Sequence, residues 1–397
     1  MEKRPWRILP TIVFSQFAGT ATWFASNAIL GDLQAAFHLQ SNALGYMTSA
    51  VQLGFISGTL LFAFLVISDR FSPRKVFFIC SILNAACNFG IFAFAEGFWS
   101  LLAIRFLTGF FLAGIYPVGM KIAAGWYQKG LGKALGFLVG ALVLGTAFPH
   151  VLNALGHGWF SWEIVIISIS ILAFLGGLAM FLLVPDGPYL SKGTKFDRRA
   201  LLIIFQSREL RAAAFGYFGH MWELYTVWAF MPVFISAFAQ ENGLDLNISM
   251  WSFLIIAAGF LGCTIGGMIS LRYGSAIVAF IQLSGSGIIC LLSPLLFQAP
   301  AGIFLTVLLL WGILVVGDSP QFSALTAMTA APQFVGSALT IVNCIGFAIT
   351  IASIQLVNYL SSTIALRDIF LPLIIGPVFG LIALKPLFSR GYTPGAK

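Results

Sequence analysis

The chain has 397 residues, of which 59% are hydrophobic and only 9% charged, with a formal net charge of +8. So few charges cannot clothe a soluble globule of this length, and lipid must be the solvent for much of the surface. Cys80, Cys87, Cys263, Cys290 and Cys344 all fall in apolar stretches without a C-x-x-C pair. They read as small packing residues rather than a disulfide or zinc framework, and neither a metal nor a cofactor is expected.

A hydrocarbon core of roughly 30 Å needs about 20 apolar residues per helix. Twelve stretches qualify, at about 8–30, 43–67, 75–95, 99–123, 133–155, 161–184, 211–238, 249–270, 274–296, 301–324, 333–359 and 365–388. An open sheet edge would leave backbone polar groups unpaired in lipid, so helices are expected in all twelve. Met1–Arg7 leads into the first span with no small-residue cleavage site, and that helix is expected to stay attached. Span one carries Gln16, Thr20, Trp23 and Asn27 at spacings of four, three and four, a polar stripe on one helical face that suits a water-filled cavity better than lipid.

Between spans two and three lies Ile67-Ser68-Asp69-Arg70-Phe71-Ser72-Pro73-Arg74-Lys75-Val76. Span four holds Arg105-Phe106-Leu107-Thr108-Gly109 and then Tyr116, and span five holds Gly136, Gly140 and Gly145. Thr146, His150 and Asn153 follow toward the outer end of span five, where an anchoring role competes with a cavity role. The longest polar interval, 185–210, is rich in Lys and Arg and separates residues 1–184 from 211–397, two halves of six spans each.

Span seven contains Phe218-Gly219-His220-Met221-Trp222-Glu223-Leu224-Tyr225, which sets His220 and Glu223 three apart on one face, where a carboxyl and an imidazole could share or relay a proton. Span ten places Asp318 in Gly317-Asp318-Ser319-Pro320, an acid beside a helix-breaking proline. For each acid a structural ion pair with Arg105 or Lys121 is the competing reading. Arg105 itself could meet an anionic substrate or neutralise one of the acids. Asn343 and Thr350 add polar groups in span eleven. Tyr116, Trp222, Tyr225, Trp228 and Trp311 offer aromatic surface to an organic solute or cation, although such residues also pack or mark the membrane interface.

With a cytoplasmic N-terminus, 19 of the 21 basic residues fall in inside loops and tails, and only Arg105 and Arg367 fall elsewhere. The positive-inside rule therefore expects both termini in the cytoplasm, in a plasma or bacterial inner membrane. That topology accounts for the positive charge without nucleic acid as a partner.

The chain also repeats itself. Ile269-Ser270-Leu271-Arg272-Tyr273-Gly274-Ser275 echoes the loop at Ile67 after 202 residues. Gly109, Gly114 and Pro117 recur as Gly312, Gly317 and Pro320 at an offset of 203, and Gly132-Lys133-Ala134-Leu135 recurs as Gly336-Ser337-Ala338-Leu339 at 204. Duplication of half a membrane chain is typical of secondary transporters.

These motifs resemble the major facilitator superfamily over essentially the whole chain. Its loop signature, roughly G-x-L-x-D-R-x-G-R-K, is matched by Asp69, Arg70, Arg74 and Lys75, while Leu65 and Ser72 replace the glycines. The resemblance implies an all-α membrane protein of twelve transmembrane helices in two pseudo-symmetric six-helix bundles, with the loop latching the cytoplasmic side and spans one, four, seven and ten lining a cavity. It also implies a monomer that works by alternating access. Arg105 and Gly109 are similar to the family's R-x-x-x-G signature, associated in some members with proton transfer. Drug/proton antiporters of the family carry G-x-x-x-G-P-x-x-G-G in span five, and here Ala141 stands where the proline belongs. Nitrate porters use an arginine in span two and another in span eight; Tyr46 to Val66 and Ser252 to Ser270 contain none.

The expected function is a proton-coupled secondary transporter of a small organic solute, with Glu223, Asp318, His220 and Arg105 as coupling candidates. A drug/proton antiporter is the alternative. A membrane-embedded enzyme would need a metal motif, a nucleophile elbow or a phosphate-binding loop, and no H-E-x-x-H, G-x-S-x-G or such loop occurs. A non-transporting sensor is the remaining competitor.

Overall fold

The computed structural model describes residues 5–127, 131–156, 161–190, 202 and 206–388, less the side chains of Asp69, Leu131, Lys133 and Pro332. Several expectations lie outside these residues: the basic residues Lys3, Arg4, Lys129, Lys192, Lys195, Arg198, Arg199, Arg390 and Lys397, the side chain of Asp69, and most of the interval 185–210.

Among the described residues every regular element is a helix. Eleven are long and apolar enough to cross a membrane: Ala43–Phe64, Pro73–Phe94, Phe98–Trp126, Ala134–Leu155, Trp162–Leu183, Arg208–Glu241, Ile248–Tyr273, Ser275–Gln298, Ala301–Thr329, Val335–Leu360 and Leu366–Phe388. They correspond to predicted spans two to twelve, and the chain is a multi-pass integral membrane protein. Pairing every backbone N–H within its own segment is what lipid demands.

Span one departs from the expectation of one continuous helix. It runs as Ile8–Thr20, a turn, Ala25–Ala28 and Leu30–Phe37. Two threonine side chains bond to the backbone at the break. Thr20 Oγ1 donates to the carbonyl of Gln16 (2.8 Å) and Thr22 Oγ1 to that of Gly19 (3.1 Å), side-chain bonds that compete with the helical ladder. Span four is broken in a similar way, into Phe98–Leu112 and Tyr116–Trp126, and span ten into Ala301–Gly317 and Ser319–Thr329. Pro117 and Pro320 stand in the first turn of the second pieces, where a missing N–H costs nothing but the preceding helix cannot continue.

The chain divides into two compact units, Met1–Gly193 with Asn247–Phe253, and Thr194–Leu246 with Leu254–Lys397. In the first unit spans two and four touch backbone to backbone: a Cβ at Gly54 would collide with the Phe106 carbonyl, and one at Gly109 with that of Val51. The second unit repeats this between spans eight and ten, where Gly262 meets the Ile313 carbonyl and Gly312 that of Ile255. Without a hydrophobic drive between helices in lipid, such close approach and interhelical hydrogen bonds hold each unit together. Asn84 Nδ2 donates to the Thr108 carbonyl (2.9 Å) and Asn88 Nδ2 to Ser170 Oγ (2.9 Å) in the first unit. Thr226 and Ser353 hydroxyls meet at 2.7 Å in the second.

Candidate functional site

Three buried ionisable side chains of the second unit, His220, Glu223 and Asp318, lie where spans seven, nine and ten meet. Span seven is a single helix, Arg208–Glu241, started by Ser207, whose side chain accepts from the Leu210 N–H. Three residues apart on it, His220 and Glu223 are both 1% exposed, yet they take different partners. His220 Nδ1 lies 2.9 Å from Asp318 Oδ1, in the break of span ten. Glu223 Oε1 accepts from Ser286 Oγ (2.7 Å) in span nine and from Trp311 Nε1 (3.1 Å) in span ten.

This corrects two readings. The imidazole is paired with Asp318 and not with its helical neighbour Glu223, because the break after Gly317 carries Asp318 to it. Trp311 is fully buried, its ring set edge-on to Phe370 (5.3 Å, 88°), and its N–H is occupied by the Glu223–Ser286 cluster, so it does not face a solvent-lined cavity. Two acids and one imidazole are thus enclosed together, and among the described residues no lysine or arginine forms an ion pair with Glu223 or Asp318.

Arg105 is fully buried in the first unit. Its guanidinium donates to the carbonyls of Thr22 (3.0 Å) and Trp23. Both carbonyls lie just past Ile8–Thr20, where span one breaks, and that of Thr22 also accepts from the Ala25 N–H (3.5 Å), so the arginine sits at the C-terminal end of a helix, where positive charge is favoured. The polar stripe of span one is corrected as well. The break separates Gln16 and Thr20 from Trp23 and Asn27, and they do not form one face of one helix. All four are buried: Asn27 Nδ2 donates to Thr48 Oγ1 (2.9 Å), Trp23 packs on Phe55 (4.9 Å), and both amide atoms of Gln16 lack a protein partner.

Of the remaining candidates, Tyr225 is buried against Trp228 (5.4 Å) and Phe347 (5.2 Å), whereas Tyr116, Trp222 and Asn343 are half-buried. Trp222 Nε1 reaches the Pro372 carbonyl at 3.4 Å. In span five Asn153 Nδ2 donates to the Ala28 carbonyl (2.7 Å), an anchor for the end of span one. Two cavities, of about 570 and 560 Å³, lie elsewhere, beside Glu241 and Arg367 in one unit and beside His38 and Trp99 in the other. Neither is lined by His220, Glu223 or Asp318.

At the loop between spans two and three, Arg70 and Lys75 are exposed. Arg74 lies 4.0 Å from Asp186 and 5.6 Å above the Phe181 ring, and Ser72 Oγ donates to Asp186 Oδ1 (2.8 Å). Asp186 follows span six and was not anticipated, although its Pro185-Asp186-Gly187-Pro188 setting marks it as a turn acid. Ser286 was also missed. One hydroxyl in an apolar helix carries no signal until the fold sets it against a carboxylate.

A duplicated, all-helical membrane chain with acids buried in its helices and proline breaks beside them has the architecture of a secondary transporter. The chain belongs to the Major Facilitator Superfamily, whose profile matches residues 12–354. An uncharacterized MFS-type transporter, YybF, of Bacillus subtilis (strain 168) is 21% identical over 269 residues, 66% of each chain. The hexuronate transporter of the same organism is 23% identical over 278 residues, 66% of this chain and 64% of that one. These alignments span just under two thirds of either relative. Among solved structures, a bacterial homolog of the human lysosomal transporter Spinster, crystallised inward-facing and unoccupied, shares the fold with a TM-score of 0.74 at 13% identity, over 99% of this chain and 100% of that one.

Proposed function

We propose that this transporter moves a small organic solute across a bacterial inner membrane by alternating access, coupled to protons carried in its second half. One observation supports the coupling above all. Glu223 is enclosed with a hydroxyl and an indole for partners and Asp318 with an imidazole, and no permanent cation balances them among the described residues. A carboxylate buried without a cation is costly, and uptake of a proton relieves that cost. The cluster is therefore suited to load and release protons as its surroundings change.

The halves 1–184 and 211–397 serve as the two moving bundles, joined by a cytoplasmic linker at 185–210, with both termini cytoplasmic. Asp69, Arg70, Arg74 and Lys75 form the latch on that side. Gln16, Thr20, Trp23, Asn27, Tyr116, Trp222, Tyr225 and Asn343 remain the candidates for solute contact. A relative that is a hexuronate transporter supports a polar organic solute, since a hexuronate is a sugar acid and can travel with protons. Export by drug/proton antiport is the second reading. It is favoured by Gly145, where a Cβ would collide with Thr20 Oγ1 and the Phe17 carbonyl, so that span five is pressed against span one as the antiporter glycines of that span suggest.

Uptake into proteoliposomes tests both. A panel of sugar acids, sugars, amines and drugs is presented with and without an inward proton gradient. Accumulation driven by an inward gradient, and lost in Glu223→Gln while solute exchange persists, is the expected result. Accumulation of a drug only under an outward gradient would establish the antiport reading, and gradient-independent transport by both proteins would remove proton coupling.

A further inference from the structure

Ser286 lies in Gly285-Ser286-Gly287 of span nine, 1% exposed, with its hydroxyl 2.7 Å from Glu223 Oε1 and 3.0 Å from Trp311 Nε1. Trp311 Nε1 is itself 3.1 Å from the same carboxylate oxygen. Groups from three helices thus close a triangle in which only one member is reversible. A carboxylate only accepts, an indole N–H only donates, and a hydroxyl does either.

Resting on the reading of Glu223 as a proton-carrying acid, we propose that Ser286 is the positioning residue that keeps Glu223 hydrogen-bonded in both protonation states. In the ionised state the Ser286 hydroxyl and the Trp311 N–H both donate to Oε1. When the carboxylate takes a proton from hydronium, the O–H bond of the hydronium breaks to leave water, that of the carboxyl forms, and a new donor appears beside Ser286. The serine oxygen accepts it, and the serine hydrogen turns to the backbone carbonyl of Gln282 one turn earlier, the back-bond open to any helical serine. Trp311 continues to donate to the acid. Rotation of one hydroxyl thereby substitutes for a movement of helices.

Other titratable groups face this cluster. His220 shares span seven, Asp318 of span ten and Cys290 of span nine interact electrostatically with Glu223, and Cys263 of span eight lies within the field of Asp318. On the other elements packed against span seven are Cys344, Tyr359, the exposed Lys385, and Arg367 with Asp368. None of these makes a hydrogen bond to Glu223, and only Ser286 and Trp311 do so among the described residues.

The test is an infrared pH titration of the purified full-length protein. The band of the protonated Glu223 carboxyl is assigned by its loss in Glu223→Gln. Ser286→Ala is expected to move the midpoint of that band to higher pH by about one unit, a tenfold change, because the donor lost had favoured the charged form. The band should also move to the position of a carboxyl that donates no hydrogen bond. Ser286→Thr, which keeps the hydroxyl, should restore both properties. Trp311→Phe covers the case in which Ser286→Ala fails to fold: it removes a donor but no acceptor, so the midpoint moves while the band keeps its position. An unchanged midpoint and band in Ser286→Ala, a shifted band in Trp311→Phe, or no Glu223 band anywhere in the stable pH range would each overturn the proposal. Proteoliposome uptake separates the two claims. If Ser286→Ala shifts the band while Glu223→Gln still accumulates solute on a proton gradient, Ser286 keeps its role and Glu223 loses the coupling role.

Discussion

Replacing Arg105 distinguishes a cap on span one from a binding group for anions. The guanidinium holds the carbonyls of Thr22 and Trp23, both in buried surroundings. Each carbonyl that loses this donor costs about 1–3 kcal/mol, and because the Thr22 carbonyl keeps a long contact from the Ala25 N–H (3.5 Å) the two together cost about 2–5 kcal/mol. Arg105→Leu also removes a desolvated charge, which returns several kcal/mol and leaves a net loss of about 1–3 kcal/mol. Arg105→Lys keeps a charge buried but replaces the planar fork by a single ammonium, and its loss should reach about 2–5 kcal/mol. The expected order of stability is therefore wild type, Leu, then Lys, measured by denaturant unfolding in detergent. A binding group for an anionic solute predicts the opposite, with lysine as the mild substitution and leucine as the one that abolishes binding. A lysine variant as stable as wild type, or a leucine variant within about 0.5 kcal/mol of it, would refute the capping argument.

The close crossings give a second expectation. Gly109→Ala and Gly312→Ala each drive a methyl group into a backbone carbonyl, of Val51 and Ile255 respectively, and should cost about 1–3 kcal/mol or more because backbone cannot yield as a side chain can. Gly302→Ala, with open space around the added carbon, is the control and should be neutral in a thermal unfolding assay. Asp186→Asn removes the partner of a half-exposed Arg74 and should lower stability by no more than about 1 kcal/mol, while increasing modification of a cysteine placed at the exposed Phe71. Unaltered labelling there would show that the contact does not hold the loop. Asp318→Asn replaces the acid 2.9 Å from His220 and should change the nitrogen chemical shifts of that imidazole; identical shifts would mean that the two side chains do not interact.

Much of the architecture was legible before any coordinates. Twelve apolar stretches and a charge bias in the loops follow from what a bilayer demands of any chain, namely length, internal hydrogen bonding and the placement of lysine and arginine, while the repeat near 202 residues marks a duplicated half. Pro117 and Pro320 announce their helix breaks because a ring without an N–H acts locally. What periodicity could not show was who meets whom. Spacing sets Glu223 beside His220, but the bend after Gly317 brings Asp318 to the imidazole, and the packing of span nine brings Ser286 to the carboxylate. Spacing likewise drew Gln16, Thr20, Trp23 and Asn27 as one face, but the helix breaks after Thr20, where Arg105 reaches across from span four to the carbonyls of Thr22 and Trp23. Local chemistry is written in neighbouring residues and can be read there. The partners of a buried ionisable group lie 63 to 98 residues away, from Glu223 to Ser286 and from His220 to Asp318, and only the packing of the helices decides them.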